Sequence, residues 1–188
     1  MIAKIKNNII GGKYINMSSI ERRKLIEDMI KNSEGPLKGQ NIAKKLGVTR
    51  QVIVKDIAIL RAEGKNIIAT PDGYLIPFQQ ENGVKKVIAV NHNEKDIEDE
   101  LNIIVKFGGV VDDVIVEHPI YGEIKGNLMI RNLYDIQKFI SKLSNNLQPL
   151  LILTDGIHLH TIEAEDDKHL NMILDELKKA GFLINNEE

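Results

Sequence analysis

The chain contains no cysteine. That excludes a disulfide-stapled secreted scaffold and any zinc site built on thiolates. No apolar run approaches the ~20 residues that a membrane span needs. Residues 1–16 lack the apolar core of a secretory signal. Internal repeats and low-complexity tracts are also missing from the sequence. Apolar residues make up 43% and charged residues 28%, the balance of an ordinary globular protein, which argues against disorder and collagen-like structure. A length of 188 residues suits one or two domains of ~100–150 residues. These absences set the expectation of a cytoplasmic protein with no membrane partner.

What is present is unevenly spread. The formal net charge is −2, yet residues 1–70 hold 14 Lys+Arg against 6 Asp+Glu, while residues 71–188 hold 11 against 21. A basic N-terminal part joined to an acidic C-terminal part suggests two modules with different partners. Nucleic acid is the natural partner of the first, although a basic surface can also exist with no polyanion to meet.

Residues 1–16 carry little pattern and are read as an N-terminal extension, with Met17 as an alternative start. Ser18 or Ser19 caps a first helix, with Leu25, Ile26, Met29 and Ile30 forming its apolar stripe. A short helix over about 39–46 follows, and Gly47 supplies a tight turn. Thr49 is the N-cap of a third helix running to about Glu63, with Ile53, Ile57 and Leu60 inward. Two β-prone runs around Pro71-Asp72-Gly73 predict a hairpin over 66–77. This sets a first domain at 17–77, a linker at 78–84 and a second domain at 85–188. The second domain alternates: a strand at 86–91, a helix at 94–107, and strands at 110–118 and 121–130. A helix capped by Asn132 follows, then strands at 150–154 and 157–164 joined by Asp155-Gly156, then a helix at 167–181. The expected fold class is α+β, a winged helix-turn-helix followed by a two-layer domain with a mostly antiparallel sheet.

Three short helices and a hairpin on the basic side of the chain are the winged helix-turn-helix pattern. With Ile53, Ile57 and Leu60 buried, Arg50, Gln51, Val54 and Lys55 remain near the exposed start of the recognition helix. Gln can pair bidentately with adenine and Arg with guanine. Thr49 and the helix N-terminus can meet a phosphate. Lys44, Lys45 and the hairpin are candidate backbone contacts, which position without specifying. The competing possibility is a helical module for protein contact with a solvated charged face. The stretches GQNIAKKLGVTRQVIVKDIAILRAEG (39–64) and ATPDGYLI (69–76) resemble the winged-helix domain of biotin-repressor-type regulators.

The five histidines are His92, His118, His158, His160 and His169. In His158-Leu159-His160 the two rings share one face of a strand. They are either metal ligands or a hydrogen-bonded or exposed surface pair. His92 ends a strand and opens a helix whose inward stripe is Ile97, Leu101, Ile104 and Val105. Glu98 and Glu100 border that stripe, and either could complete a site. Three imidazoles and a carboxylate suit zinc, nickel, iron or cobalt, not calcium. His118 either lines an effector pocket or holds the turn before Tyr121-Gly122. Tyr121 and Arg131 are further pocket candidates, since an Arg can pair with a carboxylate ligand. His169 is expected to be solvated.

VNHNEKDIEDEL (90–101), DVIVEHPIYGEI (113–124) and LTDGIHLHTIEA (153–164) resemble the three-histidine (3H) domain of nicotinate-responsive transcriptional repressors. Together with the helix-turn-helix, the resemblance covers everything except the N-terminal extension. It implies a divalent metal held by His92, Glu100, His158 and His160, and so chooses Glu100 over Glu98. It also implies a sheet domain similar to the phosphocarrier HPr fold. The function it implies is a homodimeric repressor of NAD-synthesis or niacin-uptake genes, bound to double-stranded operator DNA, with nicotinic acid as corepressor. The acidic half would hold the two heads apart and so carry the dimer interface. Two other readings remain at this level: a metal-dependent hydrolase fused to a helix-turn-helix, and a regulator for which the ion itself is the signal.

Overall fold

A computed structural model describes residues 17–77, 83–143 and 148–184, together with the backbone of 9–10 and 13–14. The expected linker at 78–84 falls largely outside these residues. The chain divides into two compact units between residues 78 and 79. Among the described residues, no helix is long and apolar enough to cross a membrane.

In the first unit, β1 (Ile9–Ile10) pairs antiparallel with β2 (Lys13–Tyr14), within the expected extension. Helices α1 (Ser19–Lys31), α2 (Gly39–Leu46) and α3 (Arg50–Ala62) then lead to a hairpin, β3 (Ile68–Thr70) with β4 (Gly73–Leu75). Ser18 caps α1 through a complete capping box with Glu21, which satisfies two backbone N–H groups at once. The apolar stripes of all three helices meet in one core that includes Ile26, Ile30, Ile42, Leu46, Ile53, Ile57 and Leu60. The hairpin is fastened to that core by Leu37, whose N–H donates to the Tyr74 carbonyl at 2.8 Å and whose carbonyl accepts from Tyr74 N at 2.9 Å.

That fastening explains the Pro-Asp-Gly turn. Gly73 sits at φ 138°, and a Cβ there would lie 2.4 Å from the Leu37 carbonyl. Gly73→Ala should therefore lower the stability of this unit by more than about 1 kcal/mol, read as an earlier thermal transition of the full chain. An unchanged transition would show that the hairpin yields without cost.

The second unit places β5 (Val84–Asn91), α4 (Ile97–Lys106), β6 (Val110–His118), β7 (Gly122–Ile130), α5 (Leu133–Leu143), β8 (Ile157–Ala164) and α6 (Asp167–Lys179) in that order. The sheet order is β5-β8-β6-β7, and every pairing is antiparallel. Helix α4 packs beside α5 and α6. Ile88, Val90, Val111, Ile130, Ile162 and Ala164 from the strands join Leu101, Ile104, Ile136, Leu170, Ile173 and Leu177 from the helices in one core. The fold is therefore α+β, as the alternation predicts. Asn132 Oδ1 accepts from Asp135 N at 3.0 Å, but the Asp135 carboxylate returns to Arg131 N at 3.1 Å rather than to Asn132.

One expected strand is absent. Residues 150–154 form a short 3-10 helix instead. Strand β8 lies between β5 and β6, so neither edge is free to accept another strand. The segment closes its hydrogen bonds locally: Ile152 N donates to Pro149 O at 3.3 Å, and Gly156 N to Leu151 O at 2.9 Å. The turn chemistry of Asp155-Gly156 survives, both residues having positive φ, but it joins a helical turn to a strand.

Candidate metal centre and DNA-reading face

Residues on β8, on α4 and just past β5 converge in the second unit. His158 and His160 stand on β8 opposite Val90 and Ile88 of β5, on the face that carries the core. Both rings are buried, so they do not form an exposed surface pair. Across from them, α4 presents Ile97, Glu100, Leu101 and Ile104 as its buried set. Their spacing of i, i+3, i+4 and i+7 defines one helix face. Glu100 thus occupies a core position rather than a border, and Glu98 is exposed. His92 follows β5 directly and is also buried.

The donor atoms meet at Glu100. Its Oε2 lies 2.8 Å from His92 Nε2, 3.4 Å from His160 Nε2 and 3.7 Å from His158 Nε2. His92, Glu100 and His158 each offer an atom within 4.8 Å of the other two, and His160 joins through Glu100. Each ring is held from behind by a backbone carbonyl. The Nδ1–H groups of His92, His158 and His160 donate to Asn93 O at 2.8 Å, Gly156 O at 2.8 Å and Asp113 O at 2.6 Å. A carbonyl only accepts, so each Nδ1 carries the proton. Every Nε2 is then turned toward the centre, the arrangement that outer partners impose on metal-binding histidines. The Asp113 carbonyl is aimed by a bulge in β6 between Val111 and Asp113.

The electrostatics fit a cation. Burial pushes the Glu100 carboxyl up, but His160, His158 and His92 together hold it well below the usual carboxylate range. Burial pulls His92 and His160 down, and Glu100 outweighs it to raise both. The cluster therefore favours positive charge beside one negative carboxylate, which a divalent ion would supply. Glu100 Oε1 is the more telling atom. It is buried and has no hydrogen-bond partner. A buried carboxylate oxygen left so is costly, and coordination would satisfy it. Three neutral imidazole nitrogens with one carboxylate fit zinc, nickel, iron or cobalt.

Around this centre lie partners that the sequence did not announce. The Phe182 ring packs 5.2 Å from the His92 ring. Its segment is pinned to β5, with Asn91 N donating to Phe182 O and Ile184 N to Ala89 O, each at 2.9 Å. The apolar run Phe182-Leu183-Ile184 just past α6 was the available signal.

The remaining candidates do not gather in one place. His118 Nδ1 accepts from the N–H groups of Ile120 and Tyr121 at 3.2 and 3.4 Å, so it holds the turn. That turn lies at the end of the sheet where His92 and His158 stand, and Tyr121 is 75% exposed. Arg131 follows the far end of β7 and is exposed. Strand β7 is 9 residues long, about 30 Å at ~3.3 Å per residue. His118 and Tyr121 therefore cannot line the same small pocket as Arg131. His169 is partly exposed and pairs with Asp166 at 2.7 Å.

In the first unit, Thr49 caps α3, its Oγ1 accepting from Val52 N at 3.4 Å. Arg50, Gln51, Val54 and Lys55 are exposed along α3, and Lys44 and Lys45 are exposed at the end of α2. Ile53, Ile57 and Leu60 fix the opposite face in the core. The hairpin tip, Pro71-Asp72, bears no cation. An ion pair fixes this helix and was missed from the sequence. Asp56 is buried on α3 and takes two bonds from Arg22 of α1, from Nε at 2.6 Å and from Nη2 at 3.3 Å.

Comparison with known proteins agrees with both halves. Residues 22–75 match the family model of an HTH domain, and residues 85–186 match that of the 3H domain. The chain is 46% identical over 165 residues to the probable transcription repressor NiaR of Thermotoga maritima, covering 87% of this chain and 94% of that protein. It is 38% identical over 174 residues to the transcription repressor NadR of Bacillus subtilis, covering 90% and 97%.

Proposed function

Because this chain joins an HTH domain to a 3H domain and belongs to the family of NiaR- and NadR-type transcription repressors, we propose that nicotinic acid controls its grip on operator DNA. Its role is regulatory rather than enzymatic, and the hydrolase reading is set aside on that ground. In this proposal residues 17–77 read DNA and residues 85–188 sense the ligand. The protein works in the cytoplasm as a homodimer and represses genes of NAD synthesis or niacin uptake.

The observation that carries the ligand-sensing part is the convergence of three Nε2 atoms on Glu100 Oε2, beside the orphaned Oε1. His92, Glu100, His158 and His160 would hold nickel, zinc or iron. The ion would offer a Lewis-acidic position at or beside which a small carboxylate or a pyridine nitrogen can bind. The chain's own part is to fix the three imidazoles in one tautomer and to keep the carboxylate ionised. The turn held by His118, with Tyr121 exposed on it, lies at the same end of the sheet and is the nearer candidate for the ligand wall. Arg131 is remote from it and is better assigned elsewhere.

A dimer reads two half-sites about one helical turn apart, so a change in head spacing alters affinity. Nicotinate must bind the DNA-competent state more tightly than the other state for this to be regulation. Calorimetry with nicotinate, nicotinamide and tryptophan, with and without metal, tests the reading. Nicotinate alone should bind, and only to the metal-loaded protein, and it should tighten operator binding. If metal alone restored full operator affinity after chelation and nicotinate added nothing, the ion itself would be the signal.

For the reading head, Arg50→Ala and Gln51→Ala should each relax base preference by roughly 1–3 kcal/mol where the contact is bidentate. Lys44→Ala and Lys45→Ala should weaken binding to all sequences alike and reduce its salt dependence. Competition binding over a panel of operator variants separates the two. An unchanged preference would remove Arg50 and Gln51 as readers.

A further inference from the structure

We infer that the Asp155–Gly156 turn is the positioning device of the metal centre, and that Gly156 is glycine because its backbone ties the two distant ligand stretches together. The inference rests on the four-residue site proposed above and adds a residue that touches no ion.

The Gly156 carbonyl accepts twice. One bond comes from the His158 ring, Nδ1–H at 2.8 Å, and the other from the backbone N–H of His92 at 3.4 Å. A single oxygen thus orients one ligand ring and locates the backbone of another, 66 residues apart in sequence by their numbering. Gly156 is itself held on its other side, its N–H donating to the Leu151 carbonyl at 2.9 Å. Leu151 is buried in the core. The 3-10 segment before the turn therefore anchors the joint to the hydrophobic interior. The rings that result sit close, His92 and His158 at 4.9 Å between centroids and His158 and His160 at 4.8 Å.

No side chain fits at this joint. Gly156 lies at φ 96°, and a Cβ would come within 2.5 Å of the His92 carbonyl oxygen and 2.9 Å of Asn91 Oδ1. Both contacts are with the stretch that delivers His92, so added bulk would displace that ligand directly. Asp155 precedes it at φ 50° and ψ 36°, a left-handed conformation that Asp, Asn and Gly tolerate and β-branched residues do not. Outer partners of metal-binding histidines are typically worth 10–100-fold in affinity.

The test is cobalt(II) and zinc titration of the full chain, followed by visible absorption of the cobalt form and by competition for zinc. Gly156→Ala is expected to bind zinc roughly 10–100-fold more weakly and to change the cobalt absorption bands. Gly108→Ala is the matched control, because Gly108 has φ 77° and open space around it. It shares the backbone strain without touching a ligand, and its affinity and spectrum should stay as in the wild type. Should Gly156→Ala fail to fold, the Asp155 series decides. Asp155→Val should weaken zinc and shift the cobalt bands, while Asp155→Asn and Asp155→Gly keep both. Wild-type affinity and spectrum in Gly156→Ala and in Asp155→Val would overturn the positioning role alone. No metal binding by the wild type would overturn the site itself, and this inference with it.

Discussion

Replacing His158 and His160 together by Ala is expected to abolish tight metal binding and to leave a folded chain. Outer partners alone are worth roughly 10–100-fold, so removing two of four inner donors should exceed that. The change has a structural cost as well. Glu100 is buried, and only His92 at 2.8 Å would remain to face it. Leaving a buried charge partly uncompensated costs about 3–5 kcal/mol, which lowers the melting point of the second unit without unfolding a typical domain. Metal analysis after gel filtration and thermal unfolding measure the two effects. Full metal occupancy in the double variant would move the site elsewhere.

Arg22→Ala should strongly destabilise the DNA-reading unit, although Arg22 lies on α1 and not on the recognition helix. Its guanidinium satisfies both oxygens of Asp56, whose side chain is 3% exposed. Arg23 stands farther off, at 3.8 Å. Removing Arg22 would strand that carboxylate in the core at a cost of about 3 kcal/mol. Operator affinity should fall at temperatures where the weakened unit opens, with Arg50, Gln51 and Lys55 all intact. Removing both partners leaves no stranded charge, so Arg22→Ala with Asp56→Ala should melt higher than Arg22→Ala alone. Equal melting points for the single variant and the wild type would show that the clamp does not hold α3.

How much of this was legible in the sequence depends on the kind of signal. Helices α1 and α3 were readable because caps and apolar spacing agreed, and α2 because Gly47 ends it: Ser18 and Thr49 do cap, Gly47 is left-handed, and Ile53, Ile57 and Leu60 are buried. The His158–His160 pair was readable because residues two apart share a strand face. Residues 150–154 were misread because a short apolar run does not distinguish strand from helical turn. Only the sheet order reveals that β8 has no free edge. Glu100 was half legible. Its place at i+3 from Ile97 puts it on the buried face, yet apolar periodicity alone treats a carboxylate as an interruption. The Arg22–Asp56 clamp and the double role of the Gly156 carbonyl join residues 34 and up to 64 positions apart. Pairings of that span carry no local pattern, and they emerge only when the elements pack.

In the proposed centre one ion would be held by His92 just past β5, Glu100 of α4, and His158 and His160 of β8. Anomalous diffraction at the metal edge, from crystals grown with nickel or zinc, tests it most directly. The expected result is a single strong peak between Glu100 and the Nε2 atoms of His92, His158 and His160. A peak at any other residues, with these three rings bonded only to protein, would contradict it.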